Sequence, residues 1–194
     1  MDNLVKRKKS RLEHVFQGEL RDSLFFYFPD IFYYKLPDGI SVGGEKTDEN
    51  GKSIWTRFIP EKPFDAMFSY RKIHCAMEYK VHKKHTAWPL SAMRPSQITG
   101  LNLADKNGKY GFVFLNVRYG LGNSRTDIVY VIHISEINRL NDEGIKSLSL
   151  EKLKFYTSLE KEKVGENKFW NVNKFIKTLQ EYSLNGIKLF NFDF

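Results

Sequence analysis

A mixed central β-sheet flanked by helices, an α/β fold, is the fold class that the sequence predicts, and three patterns indicate it. Residues 110–119 and 128–134 are near-continuous apolar runs, which are typical of strands buried in the middle of a sheet. Residues 64–70 and 73–81 alternate apolar and polar side chains around a short basic turn, as the strands of a hairpin do. An apolar residue at every fourth position of residues 11–28 predicts an amphipathic first helix.

The other elements follow from local signals along the chain. Pro29 ends the first helix, and the aromatic and apolar residues 31–36 predict the first strand of the sheet. The polar, glycine-containing residues 41–55 predict either a long hairpin or a surface loop. Three later helices are predicted with polar caps: residues 95–104 with Ser91 or Ser96, residues 135–140 with Ser135, and residues 174–182 with Asn173.

Length and composition limit the kind of protein. A chain of 194 residues with 41% hydrophobic residues favours one domain with a sizeable core. No apolar run reaches the length of a membrane span, and the single cysteine, Cys75, excludes an internal disulfide, so we expect a cytoplasmic protein. A net charge of +8 fits a polyanionic partner, although a basic module that binds no nucleic acid has the same composition.

We expect the chain to divide into three parts. Residues 1–10 form a basic arm, which is either a solvated terminus or a segment that contacts phosphates. Residues 11–143 form the core domain. Residues 144–194 form a C-terminal helical extension, packed through its apolar residues and aromatic end on the core or on a partner subunit.

The predicted hairpin carries the residues with the clearest chemistry. Asp65 precedes Glu78 and Lys80, and the last two lie on one face of their strand because they are two residues apart. A hairpin partner strand can bring Asp65 beside them. Two converging carboxylates favour a hard cation such as Mg²⁺, and a neighbouring ammonium can orient a water or stabilise phosphate charge. These are the parts needed for metal-assisted phosphodiester hydrolysis.

The same stretch resembles the PD-(D/E)XK nuclease core, with Pro63–Phe64–Asp65 and Glu78–Tyr79–Lys80 as its two half-motifs. The continuation, Thr86–Ala87–Trp88–Pro89–Leu90 followed by Gln97, is similar to the RecU-type Holliday junction resolvases. The resemblance covers about residues 11–140. It implies a restriction-endonuclease-like core in the order αβββαβ. It also implies Mg²⁺- or Mn²⁺-dependent cleavage of branched DNA in recombination and repair, usually by a homodimer.

The resemblance also implies residue roles. Asp65 and Glu78 would hold the metal with Glu19 of the first helix assisting, although Glu19 also fits an ordinary solvent-facing position. Lys80 would assist the attacking water, and Gln97 would position water or phosphate. Phe64 replaces the hydroxyl residue usual before this aspartate, which leaves open a phage or mobile-element nuclease that cuts other DNA structures, or a non-catalytic DNA-binding protein.

Basic and polar residues flank the hairpin strands and predict contacts to the DNA backbone. Lysine and arginine side chains beside a phosphate-cleaving site neutralise phosphates and make binding depend on salt. The predicted DNA-binding residues are Arg71, Lys72, Lys83, Lys84 and Thr86.

Overall fold

The computed structural model describes the backbone of residues 2–37, 42–47, 51, 53–58, 62–120 and 126–185. It describes side chains for residues 11–37, 51, 62–120 and 126–180. The α-helices are α1 (Asp2–Tyr27), α2 (Pro95–Lys106), α3 (Ile134–Asp142), α4 (Leu150–Leu153) and α5 (Val172–Asn185). The first six strands are β1 (Phe32–Lys35), β2 (Val42–Thr47), β3 (Ser53–Phe58), β4 (Ala66–Tyr70), β5 (Ile73–His82) and β6 (Trp88–Pro89). The later strands are β7 (Tyr110–Tyr119), β8 (Thr126–His133), β9 (Ser147–Leu148), β10 (Thr157–Leu159), β11 (Lys161–Val164) and β12 (Asn167–Trp170).

Six of these strands form the central mixed sheet in the order β1-β4-β5-β7-β8-β10. β4 and β5 are an antiparallel hairpin in which Ala66 lies opposite Met77 and Tyr70 opposite Ile73. β5 and β7 are parallel, because the chain between them crosses over through α2. The predicted α/β class and the αβββαβ order of a restriction-endonuclease-like core are confirmed by α1, β1, β4, β5, α2 and β7.

Helices cover both faces of the sheet. Cys75, Met77 and Tyr79 lie in the apolar core on the side of α1 and α5, together with Phe16 and Ile176. On the other side, Ala76, Val113 and Leu115 pack with Leu101 of α2 and Ile137 of α3. The alternation predicted for β5 is therefore correct, and the even-numbered residues from His74 to Lys80 share the face on which α2 lies.

The C-terminal part of the chain belongs to the same core. β10 pairs with the last central strand, β8, and Leu159 is fully buried there. Trp170 and Leu179 are buried against the α1 side of the sheet. Residues of this part therefore pack on the core, which is one of the two predicted alternatives, and they contribute four strands, β9 to β12, as well as helices; the division at residue 143 stays a prediction. The predicted docking of residues 189–194 lies outside the described residues.

Two other segments take clear forms. β2 and β3 pair with each other as a separate two-stranded hairpin between β1 and Asp65, which is the hairpin alternative for residues 41–55. The backbone of the basic arm continues α1, which begins at Asp2. None of the described helices is long and apolar enough to cross a membrane.

Three predicted helix caps are wrong. Arg94 caps α2, because Pro95 at the first helical position fixes where the helix begins. His133 caps α3 and accepts a hydrogen bond from the Ser135 backbone N–H, at 3.3 Å. The Asn171 side chain accepts a bond from the Lys174 N–H at 3.4 Å, so the α5 cap is two residues before Asn173.

Candidate active site

Asp65 and Glu78 lie side by side at the start of the hairpin. The Asp65 N–H donates to the Met77 carbonyl at 2.9 Å, which places Asp65 across from Glu78 on the adjacent strand. The Asp65 carboxylate accepts a hydrogen bond from the Tyr79 N–H through Oδ2, also at 2.9 Å. Both acids are buried, with 6% and 1% of their surfaces exposed. Strand pairing therefore brings together the two carboxylates that the sequence pattern singled out.

The ionised form of Glu78 is disfavoured by its surroundings. Its Oε1 atom lies 2.8 Å from Lys80 Nζ and accepts a hydrogen bond from the Gln97 side-chain amide. Its Oε2 atom is buried and has no hydrogen-bond partner among the described residues. Burial first and the charge of Asp65 second raise the pKa of Glu78 from 4.5 to about 7, against the opposing effect of Lys80. An unpaired buried carboxylate oxygen beside a second acid is a position that a cation would stabilise.

Lys62 is a site residue that the sequence pattern did not reveal. Its Nζ atom lies 2.8 Å from Asp65 Oδ1, and its charge also lowers the pKa of Glu78 slightly against the effect of burial. Lys62 precedes the hairpin in a segment without periodicity. The spacing of three residues from Asp65 was the signal available, and it is too common to identify a contact.

Gln97 connects helix α2 to the two charged residues of β5. Its Oε1 atom accepts hydrogen bonds at 3.0 Å from Lys80 Nζ and from the Arg94 N–H, while its amide nitrogen donates to Glu78. Gln97 lies in the first turn of α2, as predicted. Both ends of its amide are engaged by protein groups, so here it positions Glu78 and Lys80; the predicted contact with water or phosphate stays a prediction.

Close packing of α2 on the chain ahead of Asp65 sets the distance that Gln97 must span. A Cβ atom on Gly100 would lie 2.4 Å from Cβ of Pro63 and 2.5 Å from its carbonyl oxygen. Only glycine allows this approach. After β5, the buried side chains of Trp88 and Leu90 return the chain to the core ahead of α2, as the sequence predicted.

Glu19 does not join this group. Its carboxylate lies 2.6 Å from Arg118 and 3.1 Å from Lys161, on the face of the sheet that α1 covers. Glu78 and Lys80 point to the opposite face, so the structure does not bring Glu19 together with them, and its assistance at a metal site stays a prediction. Across the described part of the chain, no three His, Cys, Asp or Glu side chains are grouped so that they could hold a metal ion.

The predicted DNA-binding residues lie at the two ends of β5. Lys83, Lys84 and Thr86 are exposed just after the strand, whereas Arg71 and Lys72 are exposed in the turn before it. At about 3.3 Å per residue, the nearest members of the two groups, Lys72 and Lys83, lie roughly 20 Å and 17 Å from Glu78. The structure therefore places them on both sides of the carboxylates rather than in contact with them.

Comparisons with known proteins give one partial likeness. No family model and no curated protein sequence matches the chain. Among solved structures, the chain is similar to Hjc, a Holliday junction resolvase from the archaeal hyperthermophile Archaeoglobus fulgidus. The two chains are 12% identical, the alignment covers 74% of this chain and 96% of that one, and the TM-score is 0.37.

Proposed function

We propose that the protein is a Mg²⁺- or Mn²⁺-dependent endonuclease that hydrolyses phosphodiester bonds in branched DNA, as Holliday junction resolvases do. One observation carries the proposal: the buried Glu78 Oε2 atom lacks a hydrogen-bond partner among the described residues and lies beside a second carboxylate. In a purely structural ion pair, Glu78 Oε2 would have a hydrogen-bond donor or a cationic side chain as its partner. A cation site leaves it available.

The residues present fit a divalent cation of this kind. Asp65 and Glu78 would hold it, and Mg²⁺ in phosphate-handling sites is commonly bound by one or two carboxylates, with phosphate oxygens and waters completing the shell. Such a cation, when bound, neutralises charge on a phosphate and activates a water as nucleophile. A third carboxylate such as Glu19 is not required.

Two lysines, Lys62 and Lys80, each form an ion pair with one of the two carboxylates. Lys80 is held 2.8 Å from Glu78 and 3.0 Å from Gln97 Oε1, so its ammonium is fixed beside the carboxylates and can orient a water or contact a phosphate oxygen. Lys62 Nζ lies 2.8 Å from Asp65 Oδ1 and holds that carboxylate in place while no cation is bound. Entry of a cation is then expected to weaken both ion pairs.

Cleavage of branched DNA by purified protein tests the proposal. Four-way junctions, flaps and duplexes are incubated with Mg²⁺ or Mn²⁺, and the variants Asp65→Asn and Lys80→Gln are compared with Asp142→Asn, an exposed residue at the end of α3. Loss of a metal-site carboxylate should reduce the rate by at least about 100-fold, whereas the control should cleave like wild type. Equal cleavage by wild type and Asp65→Asn would rule out the proposed site.

A second function is favoured by a specific observation. Three of the four carboxylate oxygens of Asp65 and Glu78 already have protein partners, namely Lys62, the Tyr79 N–H, and Lys80 with Gln97. A non-catalytic DNA-binding protein on the same scaffold would keep these contacts permanently. It would bind branched DNA without any cleavage that depends on divalent ions, and nicking that disappears in Glu78→Gln excludes it.

Further parts of the proposal concern assembly and location. Resolving a junction requires cuts in two strands, so we infer that two copies act together, each supplying one site. We also infer that they act in the cytoplasm. Sedimentation equilibrium of the free protein and of its complex with a junction measures the number of copies. A single copy on each junction, with both strands cut, would contradict the dimer.

A further inference from the structure

One half of the sheet face that carries Asp65 and Glu78 exposes large aromatic side chains. On β1, Phe32 is 57% exposed and Tyr34 is 48% exposed. Tyr34 lies opposite Met67 of β4, and Met67 lies opposite Ala76 of β5, so all three side chains point to the α2 side of the sheet. Aromatic rings of this size on a sheet face are typical of an interaction surface.

This aromatic face continues directly into the candidate active site. The Leu36 N–H donates to the Asp65 carbonyl at 2.9 Å, so Leu36 is the β1 neighbour of Asp65. Tyr34 precedes Leu36 by two residues and shares its face. From strand spacing and rise, Tyr34 lies about 8 Å from Asp65 and about 12 Å from Glu78. These distances correspond to about two to four nucleotides of a stacked strand.

Exposed basic residues outnumber the exposed acid Asp30 around the aromatic residues. Lys35 is exposed on the edge strand β1 next to Tyr34, with its side chain directed to the α1 side, and Arg71 and Lys72 are exposed in the β4–β5 turn next to the strand position of Phe32. The Arg71 guanidinium lies 5.2 Å from the centre of the Tyr70 ring, on the α1 side of the sheet, so Lys72 is the turn residue left to face a strand bound on the α2 side. A flat apolar surface with cations at its rim matches a single nucleic-acid strand, in which bases stack and phosphates face the cations.

We propose that Phe32 and Tyr34 form a stacking platform for unpaired bases of a DNA strand whose phosphate lies at Asp65 and Glu78. The inference rests on the proposed nuclease function and deepens it, because it assigns the site a preference for DNA with unpaired or unstacked nucleotides next to the cut. Aromatic stacking accepts every base, so the preference is for structure and not for sequence.

A second copy of this chain is the alternative occupant, and the charges disfavour it. In a twofold interface the same patch is used by both copies, so the β4–β5 turn of each copy, with Arg71 and Lys72, would be brought into the same interface. Like charges brought together in this way oppose association. The DNA backbone, by contrast, supplies the opposite charge.

The test measures DNA binding without cleavage. Full-length protein in EDTA is titrated with junctions and single strands that contain 2-aminopurine, whose fluorescence reports stacking, over a range of salt concentrations. The double variant Phe32→Leu with Tyr34→Leu should bind unpaired DNA at least about 5-fold more weakly and lose the change in 2-aminopurine fluorescence. The slope of log K against log salt should not change, because no phosphate contact is removed.

Two controls separate stacking from other effects. Tyr34→Phe keeps the ring and should bind like wild type, and so should Phe155→Leu, which removes an aromatic residue that is 67% exposed near α4. Thermal unfolding of each variant checks that the fold is kept.

The outcomes separate this proposal from the nuclease proposal. If the double variant binds with wild-type affinity, the platform is overturned even if Asp65→Asn still abolishes cleavage. If stacking is lost in the double variant but no divalent ion supports cleavage by wild type, the platform is supported and the nuclease proposal fails. If the double variant instead converts a dimer to a monomer in sedimentation, the face is a self-association surface and the platform is overturned.

Discussion

At the scale of single residues, the ionisation of Glu78 follows from its surroundings. The sheet and α2 remove its carboxyl group from water, and Asp65 adds a second negative charge. The pKa of Glu78 rises to about 7, so near neutral pH the group is poised between its two protonation states. A cation that binds both acids would shift it to the ionised form.

We expect Glu78 to make the protein less stable as pH rises. Its pKa is about 7 when folded and near 4.5 when unfolded, so the folded state binds more protons between these values. The free energy of unfolding should therefore fall from about pH 4.5 to about pH 7, by on the order of 3 kcal/mol in all. Urea unfolding at several pH values, without divalent ions, compares wild type with Glu78→Gln.

Glu78→Gln should remove this fall in stability, and the difference between the two proteins isolates the contribution of Glu78 from that of other titrating groups. At pH 8, Mg²⁺ should stabilise wild type and have a smaller effect on Glu78→Gln. A pH dependence that is the same in both proteins would contradict the assignment.

The sequence revealed some of these residues and not others, for a physical reason. Asp65, Glu78 and Lys80 were found because strand periodicity fixes which side chains share a face. Lys62 was missed because its contact depends on the path of an irregular segment. The position of Glu19 on the far face could not be predicted, because helical periodicity indicates which side of α1 is apolar but not which face of the sheet the helix covers.

At the scale of elements, α2 fixes the positions of the side chains in the candidate active site. It begins at Pro95, places Gln97 against Glu78 and Lys80, and approaches Pro63 through Gly100. Its N-terminus and its middle therefore hold both halves of the motif. A small displacement of α2 should disturb the carboxylates without any change in them.

We expect Gly100→Ala to destabilise the protein and its site. The added methyl group would overlap the Pro63 backbone, which cannot move as a flexible side chain would, so a loss of about 1 to 3 kcal/mol is expected. Denaturant unfolding measures the loss, and the proposed cleavage should fall in parallel.

Gly18→Ala in α1 is the matched control, because no described residue outside its own helical turn lies within 4 Å of the added atom. It should stabilise the protein by up to about 1 kcal/mol through helix propensity. A stabilising Gly100→Ala would show that α2 does not pack closely on Pro63.

The bounds of an element were predicted well where buried side chains form a regular pattern in the sequence. They were predicted poorly where a single hydrogen bond determines the residue at which the element begins. Residues 110–119 match β7 residue for residue, because a buried strand needs an uninterrupted apolar run. The cap of α3 was missed because His133 takes the role usually filled by serine, threonine, aspartate or asparagine. Whether a histidine such as His133 caps a helix depends on its contacts in the folded protein, and the neighbouring sequence does not indicate them.

At the scale of the whole molecule, the C-terminal part completes the sheet. Leu159 of β10 is fully buried, whereas Val164 in the β11–β12 hairpin is 39% exposed. The sequence did not predict this, because three residues of strand among charged neighbours give too short a pattern to recognise.

Leu159→Ala should therefore cost about 2 to 5 kcal/mol of unfolding free energy. Val164→Ala should cost less than about 1 kcal/mol, since its side chain is already partly in water. Both are measured by urea unfolding. Similar small costs at the two positions would indicate that β10 contributes little to the stability of the core.

Salt dependence tests the basic surface around the site. If Lys83 and Lys84 contact phosphates, replacing both with glutamine should reduce the slope of log K against log salt by about 1.8 for duplex DNA. The matched pair Lys154→Gln with Lys163→Gln removes two exposed charges elsewhere and should leave the slope unchanged. An unchanged slope in the first pair would place the DNA on another surface.

Phe16 meets Tyr79 and Trp170 edge-on, with ring centres 5.6 Å and 6.1 Å away. About 150 residues of chain separate Phe16 from Trp170. At a synthesis rate of 5 to 20 residues per second, a nascent chain therefore spends roughly 8 to 30 s with the apolar stripe of α1 lacking its last ring partner. Newly made molecules should accordingly be good clients for chaperones that hold apolar segments until translation has passed Trp170.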